Sequence, residues 1–297
     1  MDVNFELYKV FYHVAKQLSF SVASEELYVS QSAVSQAIRT LEQRLQCKLF
    51  IRNTKQVKLT QEGENLFKHI EQAFNLIKAG ERSIMDIHSL KQGEVRIGAT
   101  DTICKYFLLP YLKQFNRNYP QVKIKVTNRT SPICMDLLQK GSVDLAVVNL
   151  PEKGTAPNLR IEHTHQLRDI FVAGKQYQFL QNRTLSLSDL ADYPLLMLER
   201  NTTTRDFIDS YLFNQGLTLN PEIELGSVDL LVELAKIGLG IALVVEDFFT
   251  EQLHSQEVFK LKFNESLPLR SLGILTNAQL PTSTAAQKFI DLFAQKS

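Results

Sequence analysis

The strongest constraint in this chain is a spacing. Gly63, Leu66, Ile70, Ala73, Ile77, Gly80, Ile84 and Ile87 follow one another at steps of 3, 4, 3, 4, 3, 4 and 3 residues, which draws a single seam along one face of an α-helix. The seam predicts a helix over residues 61–89, a rod roughly 40 Å long at a rise of 1.5 Å per residue. A rod of that length divides the 297 residues into a short segment, 1–60, and a long one, 90–297. A domain of that small size cannot cover the whole stripe, so a second copy of the chain is the expected partner. Leu66, Ile70, Ala73, Ile77 and Ile84 would lie at the contact, with Gly63, Ala73 and Gly80 permitting close approach. The competing reading packs the stripe on the chain's own carboxy-terminal part.

Ahead of the rod, Leu7, Val10, Phe11, Val14 and Leu18 recur at helical steps over Phe5 to Gln17. Ser19 and Ser21 offer N-caps for a short helix from Ser21 to about Tyr28, with Val22, Ala23 and Leu27 facing inward. Ser30 can cap a third helix, in which Val34, Ile38, Leu41 and Leu45 share one face and Gln31, Ser32, Ser35, Gln36, Arg39 and Gln43 lie elsewhere. This order is a helix-turn-helix. Short Ser and Gln side chains at a helix start let its backbone enter a major groove and hydrogen-bond base edges and phosphates, and the helix dipole adds attraction for phosphate. Ile51 to Thr60, IRNTKQVKLT, then reads as a basic hairpin or wing whose Arg52 and Lys55 can reach the DNA backbone. Residues 1–60 carry a net +3 and the remainder −2, which suits a phosphate-facing module at this end. The competing reading is a solvated polar helix face beside a solvated loop.

The whole run FYHVAKQLSFSVASEELYVSQSAVSQAIRTLEQRLQCKLFIRNTKQVKLTQEG resembles the winged helix-turn-helix of LysR-type transcriptional regulators. The resemblance rests on S-Q-S-A-V-S-Q opening the third helix, then L-F-x-R and L-T-x-x-G. Two positions depart from the family pattern: Cys47 stands where Gly is usual before K-L-F, which questions the local turn geometry, and Ser24 replaces a second Ala. The resemblance implies a multidomain protein, an all-α winged helix-turn-helix with a long linker helix joined to a two-lobed α/β effector domain of the periplasmic-binding-protein type II, Rossmann-like kind. It further implies a homodimer through the linker helix, often paired into a homotetramer, and brings in RNA polymerase as a candidate contact.

Residues 90–297 alternate strand and helix patterns. Extended stretches fall at Glu94 to Thr100, Val122 to Thr127 and Val143 to Asn149, and helical ones at Ile103 to Asn118 and Ile133 to Lys140. The near-continuous apolar strands predict a parallel α/β sheet. A second unit opens near Ile161, with strands at Asp169 to Ala173, Pro194 to Leu198, Ile223 to Leu225 and Gly240 to Val245, and helices at Thr203 to Asn214 and Val228 to Ile237. The last strand and helix, from Leu269 and from Thr284, return to the first unit. Lobe 1 is thus expected at about 93–161 and 267–297, and lobe 2 at about 162–266, with a ligand cleft at the carboxyl ends of the strands.

Three loops should meet in that cleft: Thr100-Asp101-Thr102, Arg129-Thr130-Ser131, and Asn201 to Arg205. Thr100, Thr102, Arg129, Ser131, Thr202, Thr203, Thr204 and Arg205 are the candidate ligand contacts. Hydroxyls and free N–H groups at helix starts form a cradle for an anion, and Arg205 would add a fixed charge. A small anion or carboxylate is the expected effector; the alternative is that these residues merely cap helices. In the LysR resemblance these loops lie where inducers bind, and KGSVDLAVV and GLGIAL match recurring segments of the effector domain, although Val245 departs from the proline usual there.

The remaining residues exclude more than they propose. Cys47, Cys104 and Cys134 have no metal-ligand spacing and are odd in number, as expected in a reducing compartment such as bacterial cytoplasm. Cys104 and Cys134 sit just inside helices beside the cleft, where a thiol switch or a small buried hydrophobe can be read, the latter favoured. His163 and His165 form a possible metal pair without a third ligand. No cofactor motif, nucleophile elbow, P-loop or paired-carboxylate signature is present, and neither an export signal nor an 18-residue apolar run is found. The favoured reading is an effector-responsive regulator of double-stranded DNA in the cytoplasm, without catalytic or metal site and without membrane contact. The alternative is a cytosolic solute-binding or catalytic α/β protein whose first helices serve only assembly.

Overall fold

The computed structural model describes residues 3–53, 56–88 and 93–294, the side chains of 52, 53, 79 and 82–88 excepted. The chain forms two compact units, Met1–Ala79 and Gly80–Ser297.

In the first unit, α1 (Phe5–Gln17), α2 (Phe20–Leu27) and α3 (Gln31–Leu45) start at Asn4, Ser19 and Ser30, whose side chains accept N–H groups of Glu6, Val22 and Ala33. Each stops at a left-handed residue that is not glycine: Leu18, Tyr28 and Gln46. Phe11, Val14, Phe20, Ala23, Val34, Ile38 and Leu41 bury together with Leu49 and Phe50. Val22 does not face inward as expected and is 40% exposed; Phe20 takes that role, because the buried face runs through Phe20, Ala23 and Ser24 at helical steps and Val22 falls off it.

Strands β1 (Phe50–Asn53) and β2 (Gln56–Leu59) pair antiparallel as the wing. Glu42, only 4% exposed, pins it to α3: its carboxylate accepts the N–H groups of Leu49 at 3.0 Å and Phe50 at 3.4 Å and the Lys48 ammonium at 2.9 Å. Burial pushes the Glu42 carboxyl up, and these three donors more than offset it, leaving it below its ordinary value. The left-handed residue of the turn before β1 is Gln46, not Cys47, so the cysteine at the usual glycine position imposes no positive φ.

The long helix α4 (Gln61–His88) corrects part of the seam reading. A Cβ on Gly63 would lie 2.2 Å from the Leu49 carbonyl oxygen, so this glycine is spent on packing against its own wing. Leu66, Phe67 and Ile70 pack on the core of the first unit, and Phe74 stacks on Tyr12 with ring centroids 4.7 Å apart. The amino-terminal part of the rod therefore does cover apolar surface on its own domain. Leu76 and Ile77 stay 47% and 44% exposed, Ala73 is half-buried, and the Ile84 and Ile87 side chains lie outside the described residues.

The second unit holds two five-stranded sheets. In the first, β3 (Glu94–Ala99) pairs parallel with β4 (Lys123–Asn128) and β5 (Leu145–Asn149). A helical run follows β3: α5 (Asp101–Ile103), a π-helical turn (Cys104–Leu108) and α6 (Leu109–Asn118); α7 (Ser131–Gln139) follows β4. The polar strand β6 (Leu159–Leu167) closes the first sheet's edge. The chain then enters the second sheet as β7 (Asp169–Gly174), and after the short β8 (Thr184–Leu185) comes β9 (Leu195–Leu198) with α8 (Thr203–Asn214). There follow β10 (Ile223–Leu225), α9 (Val228–Lys236), β11 (Ile241–Val245), α10 (Thr250–His254), β12 (Val258–Lys260) and β13 (Lys262–Phe263). The return is β14 (Arg270–Asn277), then α11 (Thr284–Ala294).

The strand orders are β4-β3-β5-β14-β6 and β10-β9-β11-β7-β12. The sheets are mixed, not parallel: β14 runs against β5 and β6, and β7 against β11 and β12. Each lobe borrows a strand at the place where the chain crosses between lobes, and that strand enters from the cleft side, against the others. The first crossing falls at Arg168, later than the expected 161–162, because β6 stays paired to β14 through Leu167.

Candidate functional site

On α3 the burial alternates as a reading helix requires. Val34, Ile38 and Leu41 are buried, Gln31, Ser32, Gln36 and Arg39 are exposed, and Ser35 is half-buried. Ser30 accepts the Ala33 N–H at 3.2 Å and its hydroxyl lies 2.9 Å from that of Ser32, so the tip is a compact hydroxyl cluster at a helix start. Arg52 lies in the first strand of the wing with its side chain outside the described residues, and Lys55 lies wholly outside them.

In the second unit a cavity of about 270 Å³ opens between the sheets. Its wall brings together Thr100, Thr102, Arg129, Ser131, Thr202, Thr203 and Thr204, seven of the eight residues picked from the loops. Thr100 caps α5 through the Ile103 N–H and Thr202 caps α8 through the Arg205 N–H, each at 3.3 Å. Thr130, the residue before α7, makes no side-chain cap. A fourth helix start belongs here as well, since Gly226 and Val228 at the start of α9 also line the cavity.

Arg205 does not line it. Its guanidinium, 2% exposed, turns back along α8 to Asp209 at 2.8 Å, the Leu198 carbonyl at 2.8 Å and Glu224 at 3.1 Å. The expected charge on the cradle is spent on tying α8 to β9 and β10.

Three residues that were not expected from the loops stand at the cavity floor: Asn149, Asp169 and Arg270. Arg270 makes a two-pronged pair with the Asp169 carboxylate and donates from its third nitrogen to the Asn149 side-chain oxygen. The Asn149 amide nitrogen donates to the Thr204 hydroxyl at 3.3 Å, and its backbone N–H to the Ser131 hydroxyl at 3.1 Å. Asn149 sits at a strand's carboxyl end, where it was open to notice. Asp169 and Arg270 sit at the amino ends of antiparallel strands, which a parallel-sheet reading points away from the cleft.

Beside the cavity, the π-helical turn carries Lys105 and Tyr106 to Asp229 on α9, the ammonium at 2.8 Å and the phenol donating to the same oxygen. Burial and that carboxylate push the Tyr106 hydroxyl up to about 12. Cys104 and Cys134 are outside the cavity wall, and burial pushes both thiols up to about 11, with Asp101 adding to the effect at Cys104. His163 and His165 pack near Phe293 and Phe107, and no group of three metal-ligating side chains occurs among the described residues.

A winged helix-turn-helix ahead of a two-lobed α/β unit, with a cavity at its strand ends that sets loop hydroxyls among apolar side chains, is the architecture of a ligand-responsive DNA-binding regulator. The family profile described as LysR substrate binding domain matches residues 88–297, and that of bacterial regulatory helix-turn-helix protein, lysR family, matches residues 5–64. The chain belongs to the LysR family: it is a DNA-binding transcriptional regulator with an effector-binding domain, in a family of regulators and not of enzymes. The catalytic alternative falls with that match, as does an assembly-only role for the first helices.

Among its relatives, a probable RuBisCO transcriptional regulator of Trieres chinensis is 29% identical over 288 residues, covering 94% of this chain and 91% of that one. One of Phaeodactylum tricornutum is 27% identical over 285 residues, covering 93% and 91%. Among solved structures, a full-length OxyR variant from Pseudomonas aeruginosa aligns with a TM-score of 0.73 at 19% identity, covering 98% of this chain and 94% of that one. CrgA from Neisseria meningitidis aligns with a TM-score of 0.58 at 22% identity, covering 99% of both. Among the described residues no helix is long and apolar enough to cross a membrane.

Proposed function

We propose that this regulator reads double-stranded DNA through Gln31, Ser32, Ser35, Gln36 and Arg39, with Arg52 and Lys55 of the wing on the adjoining backbone, and that a small anion or carboxylate in the cavity controls it. The observation that carries the effector reading is the convergence of four helix starts and their hydroxyls on one cavity, a set of N–H and O–H donors suited to negative charge. Closure of the lobes on the ligand changes the spacing of two reading heads held by a dimer. The dimer forms through α4, where Ile77 is exposed and Ala73 half-buried, with Ile84 the next position expected on the same seam, and pairs of dimers make tetramers; RNA polymerase is the further partner, in the cytoplasm.

Gel shift with DNA from upstream of the chain's own gene tests the DNA half. Binding should be sequence-selective and weaken with salt. Arg39→Ala and Ser35→Ala should lower specific affinity while sedimentation still shows the dimer. Loss of neither selectivity nor affinity in these variants would remove the assigned contacts. Ile77→Asp should instead shift the sedimentation profile toward monomer.

A further inference from the structure

The floor of the cavity has a fixed hydrogen-bond sense, and it is set from outside the cavity. Arg270 carries only donors, so the Asn149 oxygen must face it and the Asn149 nitrogen must face Thr204. The amide cannot flip, because Arg270 is itself locked by both oxygens of Asp169. The Thr204 hydroxyl oxygen therefore accepts a hydrogen bond from the Asn149 side chain, as that of Ser131 does from the Asn149 backbone. Each hydroxyl has its own proton left, and neither finds an acceptor among the described residues. Thr203, beside them on the wall and only 8% exposed, makes no side-chain hydrogen bond to any described residue. Buried hydroxyl groups without partners are few in native proteins, and each calls for an occupant.

We infer that Asn149 is a positioning residue which turns the Ser131 and Thr204 hydroxyls into donors, so that with Thr203 they form a seat for an oxyanion such as a carboxylate. The Asp169–Arg270 pair fixes that polarity while remaining neutral as a pair. Both carboxylate oxygens of Asp169 accept from Arg270, so its charge is compensated at the floor and the free hydroxyl protons favour an anionic over a cationic group there, while Asp101, the other carboxylate on the wall, is exposed. Charge on the ligand is met by oriented hydroxyls, with Arg129 an exposed cation at the rim. This inference rests on the reading of the cavity as the effector site and adds the chemistry of its deepest contact.

The test uses the full chain and thermal unfolding with simple probes: acetate, L-lactate, succinate and inorganic sulfate up to 100 mM, each against sodium chloride of equal ionic strength, and ethylammonium chloride as the cationic control. At least one carboxylate should raise the midpoint in a saturable way, and ethylammonium should not. Thr204→Val, which keeps shape and removes the proton, should weaken that carboxylate about tenfold or more, and Thr204→Ser should restore it. Asn149→Asp keeps the partner of Arg270 but presents an acceptor to Thr204, turning the hydroxyl away from the cavity, and should abolish the shift.

If a carboxylate binds but Thr204→Val leaves its affinity unchanged, the donor relay is wrong while the effector site stands. Loss in Asn149→Asp alone would then reflect added charge and count equally against the relay. A midpoint raised by ethylammonium as strongly as by the best carboxylate overturns the donor sense of the floor. If no anion shifts the wild-type midpoint, the relay and the anionic effector reading fall together.

Discussion

Replacing Glu42 should unfasten the wing from the reading helix. The Glu42→Ala change leaves the Leu49 and Phe50 amides, both in the buried core, without their acceptor. Hydrogen bonds to a charged group contribute about 1.5–3 kcal/mol each, and a buried donor left unpaired loses the benefit in full. The Phe50 bond is long, and water will reach part of the site, so about 2–4 kcal/mol is expected overall. The partner Lys48 is exposed and adds little. Local opening should rise by roughly 30- to 1000-fold, at about 1.4 kcal/mol per factor of ten, and hydrogen exchange resolved at Leu49 and Phe50 reads this directly. Glu42→Gln retains a neutral acceptor and should cost about 1 kcal/mol. In the wild type the contribution is present above the ordinary carboxyl value of 4.5 and is lost as pH falls through the lower folded value. Exchange at these two amides that stays at wild-type rates in Glu42→Ala would refute the pin.

Gln46→Gly should stabilise the first unit by about 1 kcal/mol, seen as a raised unfolding midpoint, because the residue sits at φ 55° with an exposed side chain. Arg205→Met should lower the midpoint of the second unit by an amount equivalent to about 2 kcal/mol or more, while any carboxylate-induced shift persists, since the guanidinium faces Asp209 and Glu224 and not the cavity. Cys104 and Cys134, raised from 9.0 to about 11, should react with a maleimide at pH 7.5 about a hundredfold more slowly than an unperturbed thiol. Fast labelling of either would reopen a redox role.

Much of this molecule is local, and what is local was legible. The capped helices at Ser30 and Thr202, the wing between Phe50 and Leu59 and the bounds of α8 and α11 follow from periodicity and cap chemistry, which depend on neighbours a few residues away. The six loop hydroxyls at the cavity share the same origin, because a Thr or Ser that starts a helix after a parallel strand faces the cleft by construction, and Arg129 comes with them from the loop before α7. Other features depended on contacts distant in sequence. Gly63 reads as a seam position until the Leu49 carbonyl is found above it, and Arg205 reads as a ligand contact until Glu224 and Leu198 claim its guanidinium. The polar strand β6 shows no apolar continuity, since it is an edge held by pairing with β14. Asp169 and Arg270 lie 101 residues apart, and their strands enter the sheets against the direction of the rest. Neighbouring residues were enough to set which segments are helices and which loops carry hydroxyls. Which charges those loops would face was left to the packing of the lobes, because an ion pair between distant residues leaves no trace in local spacing and is chosen by where the chain crosses from one sheet to the other.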